Sequence, residues 1–89
     1  MNDKVNVCVI VPEINQNYNI ILPINKKIGT ITKLLNKSIN ELSNEAFPII
    51  QRCYLYNVDT LQQYHDNTLL WSTDIRNSTR LMLLSKKLY

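Results

Sequence analysis

The sequence predicts a small α+β domain: a mixed sheet of four to five strands packed on one helix, in the order β-β-α-β-β-β. Three observations carry this. Residues 4–11 alternate with period two and are rich in Val, as a half-buried strand does. From Ile28 the apolar period changes to steps of three and four, the stripe of an amphipathic helix. The chain has 89 residues, room for one domain over 1–89, and a single helix needs a single sheet face to cover. A composition 45% hydrophobic and 19% charged is that of an ordinary globular chain, and a single glycine excludes Gly-rich phosphate loops, collagen repeats and flexible linkers.

In the first strand Val5, Val7, Val9 and Val11 face one way, and Asn6, Cys8 and Ile10 the other. Pro12 ends it, because proline has no N–H to give to a ladder. Residues 13–17 read as a turn and 18–24 as a second strand. The connection is short enough only for an antiparallel hairpin. Ile28, Ile31, Leu34, Leu35, Ile39 and Leu42 make the helix stripe over about 27–43. Lys33, Asn36, Lys37, Asn40 and Glu41 fall largely off it. Asn25 is the candidate N-cap, and Gly29 weakens the first turn. A third strand spans 51–56, with Cys53 and Leu55 on one face and Tyr54 and Tyr56 on the other. After a turn at 57–60 comes a short fourth strand at 61–64, then an irregular stretch over 65–75. Trp71 reads there as a partly buried lid over the core. Arg80 to Leu84 make the closing strand, and 86–89 read as a frayed tail. A hairpin, a crossover helix and a closing strand set between the first and third strands is the β-grasp arrangement.

These intervals resemble those of ubiquitin-like domains. Arg52-Cys-Tyr-Leu-Tyr, Thr68-Leu-Leu, and Asp74-Ile-Arg-Asn-Ser-Thr-Arg-Leu-Met-Leu-Leu are similar to ubiquitin's third strand, short helical turn and closing strand. Ile28, Ile31 and Leu35 also fall at ubiquitin-like intervals from Leu22. Within the superfamily the chain most resembles the bacterial YukD/EsaB type, stand-alone ubiquitin-like proteins of type VII secretion loci. The matching positions are packing residues and turns over about residues 4–85, which speak for fold more than function. Ubiquitin and the related sulfur carriers act through a C-terminal Gly-Gly. This sequence ends Lys86-Lys87-Leu88-Tyr89, and Gly29 is its one glycine, so the resemblance implies a protein that is not conjugated.

Other chemistry finds little support. His65, the single His, sits in a polar turn with no nucleophile near it in sequence. Asp59, Asp66 and Asp74 read as turn and cap formers. Two cysteines are too few for an iron–sulfur cluster and are not spaced for zinc. In the β-grasp order Cys8 and Cys53 stand two strands apart, about 9–10 Å, beyond the roughly 7 Å a disulfide spans. They are expected as free thiols, Cys53 buried and Cys8 outside. No catalytic residue, cofactor or metal is expected. With no signal peptide and no apolar run near 20 residues, the expectation is a cytoplasmic protein that does not insert in a membrane.

The resemblance points instead to the outer sheet face, where ubiquitin binds most partners. By position, Tyr54, Met82 and Leu84 face outward, and Cys8 and Ile10 extend the patch onto the first strand. The leading reading is a protein–protein interaction component whose partner is a piece of secretion machinery or a second copy. The alternative is a nucleic-acid-binding β-grasp module using its basic face, where Lys26, Lys27, Lys33 and Lys37 lie around one segment and Lys86 and Lys87 in the tail. A net charge of +3 is mild for that role.

Overall fold

In the computed structural model, which describes residues 3–89, the hydrophobic periods resolve into four strands and one helix: β1 Lys4–Val11, β2 Gln16–Pro23, α1 Ile28–Leu42, β3 Tyr54–Asn57 and β4 Arg80–Leu84. The sheet order is β2-β1-β4-β3. β1 runs antiparallel to β2 and parallel to β4, and β4 runs antiparallel to β3. This is the β-grasp topology, with the closing strand in the middle.

One face of the sheet and one side of α1 make the core. Val7, Val9, Val11, Leu22, Leu55, Leu81 and Leu83 meet Ile28, Ile31, Leu35 and Ile39 there. Phe47, Leu70 and Ile75 close its ends, all within 1% of full burial. Each such side chain contributes about 1.5–3 kcal/mol by leaving water.

The β1–β2 hairpin closes through a 3-10 turn, Pro12–Ile14, and Asn15 in the left-handed region at φ 53°. That tight closure starts β2 two residues sooner than the sequence suggested, with Gln16 and Asn17 already paired to Val11 and Ile10. The expected cap Asn25 does not cap α1. Lys27 holds the N-cap position without a side-chain bond. Backbone carbonyls of the 66–68 loop do the work instead: Ile28 donates to Thr68 O at 2.9 Å and Gly29 to Asp66 O at 2.9 Å. The loop comes so close that a Cβ on Gly29 would lie 3.3 Å from Asp66 Cβ.

The fourth strand is reduced to a single bridge, Tyr56 with Gln63. Leu61 sits at φ 60°, a left-handed conformation that interrupts extension. The Asn57 side-chain oxygen accepts from the Asp59 and Thr60 amides and tightens the turn before it. β3 begins at Tyr54 rather than 51, because β4 offers no partner beyond Leu84. The helix stripe also shifts. Leu34 and Leu42 are 44% and 60% exposed, while Thr32 and Asn36 are buried.

Candidate binding face

Strand parity divides the sheet. Inward-facing residues fill the core, and their neighbours in sequence point to the opposite face. On that outer face the register sets Ile10 beside Met82 and Met82 opposite Tyr56. Tyr54 lies opposite Leu84. Cys8 lies beside Arg80. The five residues expected to form the patch, Cys8, Ile10, Tyr54, Met82 and Leu84, therefore share one face across three adjacent strands. All five are half-buried rather than open.

Two arginines border the patch. Arg52 stacks its guanidinium 4.9 Å from the Tyr54 ring centroid and pairs with Asp66 at 2.8 Å. Arg80 bonds Asp59 at 2.5 Å, and that hydrogen bond holds its pKa above the usual guanidinium value. Both side chains are half open to water, so these pairs orient more than they stabilise.

A sixth residue belongs to the face. Tyr56 is fully buried although its side chain points away from the core. Its cover is the tail that was expected to fray. The chain bends at Ser85 and Lys86, and the Leu88 N–H donates to the Tyr56 hydroxyl at 2.8 Å. The Tyr89 hydroxyl donates to Leu61 O at 3.1 Å. Sequence alternation places Tyr56 beside Tyr54, but nothing local announces a contact 32 residues away.

The remaining candidates lie elsewhere. His65 is exposed in its turn. Both cysteines are free thiols. Cys8 is half-buried on the outer face and Cys53 is buried. Burial pushes the Cys53 thiol up to about 11, with Glu13 adding to the shift, so it is a poor nucleophile near neutral pH. Trp71 is 57% exposed rather than a lid, and its neighbour Leu70 fills the core in its place. An open cleft of about 620 Å³ runs between α1 and the segment before β3, with Lys27, Lys33, Arg52 and Asp66 on its walls. Among the described residues no three His, Cys, Asp or Glu side chains form a metal-holding group. Nor is any helix there long and apolar enough to cross a membrane.

No family model matches the chain, and no curated protein matches it in sequence. Solved structures do match in fold. A chain of the MycP5-free ESX-5 inner membrane complex superposes with a TM-score of 0.68 at 20% identity, over 99% of this chain but 23% of its own length. The EccD5 ubiquitin-like domain from Mycobacterium xenopi matches at 0.65 and 18% identity, over 92% of this chain and 93% of that domain. A ubiquitin-like domain from Arabidopsis thaliana matches at 0.66 and 17% identity, over 99% and 84%. At such identities the likeness is one of fold, and the fold is ubiquitin-like.

Proposed function

We propose that this chain is a non-conjugated ubiquitin-like protein that binds another protein through the outer face of its sheet. Its setting would be the cytoplasmic side of a bacterial type VII secretion machine, as an accessory component and not an enzyme. One observation carries the binding reading: Ile10 and Met82 stand side by side in register, with Tyr54 and Leu84 paired in the next row, all four partly open to water. Apolar side chains on the face opposite the core have no part in packing the helix. A contiguous set of them marks an interaction surface, and Tyr and Met are common at interface centres.

The secretion setting is supported by two neighbours of like fold, the EccD5 domain and a chain of the ESX-5 inner membrane complex. The absence of conjugation is supported by Gly29 being the one glycine in the 89 residues, placed in the first turn of α1. Against the nucleic-acid alternative stands the mild net charge of +3.

The test is a binding assay against the soluble domains of membrane components encoded beside this gene, with Tyr54→Ala/Leu84→Ala as the probe. Loss of two central contacts should weaken binding at least thirtyfold, the scale of interface hot spots, with an unchanged circular dichroism spectrum. A folded double variant that keeps all its binding would overturn the assignment of the face. Binding to oligonucleotide that falls steeply with salt would favour the nucleic-acid alternative.

A further inference from the structure

Tyr56 poses a physical question. It stands in register with Met82 on the face away from the core, yet none of it reaches water. The segment that meets its hydroxyl is residues 85–89 of the same chain. They leave β4, bend at Ser85 and Lys86, and return over the β3–β4 half of the outer face. Three contacts pin this segment, one at each end and one between. At its start the Glu13 carboxylate accepts from the Ser85 amide at 2.7 Å and from the Ser85 hydroxyl at 2.5 Å. In the middle the Leu88 N–H meets the Tyr56 hydroxyl at 2.8 Å. At its end the Tyr89 hydroxyl meets the carbonyl of Leu61, a residue held at φ 60°. A hollow of about 370 Å³ is lined by Glu13, Leu84 and residues 85–88 of the segment.

The hold is shallow. Leu88 is 42% exposed and Tyr89 83% exposed. The bond to Tyr56 is partly buried, and the contacts at Glu13 and Leu61 are open to water. Exposed hydrogen bonds exchange readily with water and add little net stability. Segments of low local stability are the ones that move in gating.

We infer that residues 85–89 are a latch, an internal occupant of the partner-binding face that must swing away before a protein partner can seat on Tyr56 and Leu84. The inference rests on the outer-face reading above and adds its regulation. The latch lowers apparent affinity by the fraction of time the face is covered, and removing it raises affinity by the same factor.

Amide exchange by NMR on the full chain reads the latch without any partner. The Leu88 amide should exchange at least tenfold more slowly than in a free peptide. Tyr56→Phe removes its acceptor and should return it to the free rate, while the amides of Leu81 and Leu83 stay protected. Glu13→Ala should do the same at Ser85. A chain ending at Leu84 should bind the apolar dye ANS several-fold more than the full chain. If that shortened chain fails to fold, Glu13→Ala in the full chain serves for the dye measurement. A Leu88 amide already exchanging at the free rate, or a folded shortened chain with no added dye binding, overturns the latch. The two readings fail separately. Without a latch, full and shortened chains bind partner alike. Without outer-face binding, the exchange results stand while Tyr54→Ala/Leu84→Ala leaves binding intact.

Discussion

Asn36→Ala tests whether a side chain, rather than the backbone, holds the 43–53 connection against the helix. Asn36 lies on α1 and is 4% exposed. Its amide donates to Pro48 O at 3.0 Å, and its carbonyl accepts from the Ile50 N–H at 2.9 Å. Alanine removes both bonds, each contributing about 1 kcal/mol net, and strands a donor and an acceptor whose desolvation costs about 1–3 kcal/mol apiece where water cannot reach. The connection is partly exposed, so some rehydration follows, and the expected loss is about 2–4 kcal/mol. A domain of this size has roughly 5–13 kcal/mol in total. With a urea slope near 1 kcal/mol per M the midpoint should fall by about 2–4 M, and the melting temperature by about 15 °C. Circular dichroism during urea titration measures the first, and the Ile50 amide should lose exchange protection early. Asn36→Asp provides the discriminating control. It keeps an acceptor for Ile50 but turns a carboxylate toward the Pro48 carbonyl, so it should be as damaging as alanine at neutral pH. It should recover partly below about pH 4, where the protonated acid can donate. A loss under about 0.5 kcal/mol for alanine, or an unchanged Ile50 amide, would refute the reasoning.

Three further outcomes are expected. Tyr64 is buried with its hydroxyl donating to Asp74 at 2.6 Å and accepting from Asn57 at 3.1 Å, so Tyr64→Phe should cost about 1–3 kcal/mol in a denaturant titration. Burial first, then the Asp74 bond, raises this phenol from 10.0 to about 12 in the fold. The unfolded chain ionises first, so the contribution is whole below pH 10 and is lost between there and about pH 12; melting curves of Tyr64→Phe should lack that part of the alkaline decline. Thiol labelling should modify half-buried Cys8 first, with buried Cys53 reacting only as the domain opens. Leu70→Ala should cost about 2–5 kcal/mol and Trp71→Ala about 1 or less, because Leu70 is fully buried and Trp71 is not.

The parts of the fold that repeat were readable in the sequence. The valines of β1 and the stripe Ile28, Ile31, Leu35 and Ile39 follow strand and helix periods, and both lie in the core. What the sequence did not reveal has no period. Its twelve asparagines look scattered, yet several hold the loops in place. Asn36 and Asn40 bind the 47–50 backbone, and Asn77 accepts from the Asn6 amide 71 residues away. Asn15 and Asn44 take left-handed backbone angles. Long-range bonds from side chain to backbone leave no mark in a hydropathy window, so Asn36 read as a surface residue. The same limit hid the exchange of Leu70 for Trp71, since adjacent apolar residues in an irregular stretch carry no parity. The outer face was legible because strand alternation determines facing, and Tyr54, Met82, Leu84, Cys8 and Ile10 do share it. Their cover was not.

That cover narrows where a partner can gain most. A sheet packed by one helix needs apolar side chains on one face only, and water can keep the other polar. Here β2 follows that rule at Asn17 and Asn19, which are exposed, but not at Ile21, which lies on the same face and is 63% exposed. β1, β4 and β3 do not, since Ile10, Met82, Leu84, Tyr54 and Tyr56 all turn outward. The 85–89 segment accounts for Tyr56 and borders Leu84, but none of its hydrogen bonds reaches Cys8 or Ile10 on β1. Packing within this chain therefore explains one half of the apolar face and leaves the β1 half without a structural reason. A partner that first contacts Ile10 and Met82, then displaces the segment to reach Tyr56 and Leu84, would use both halves.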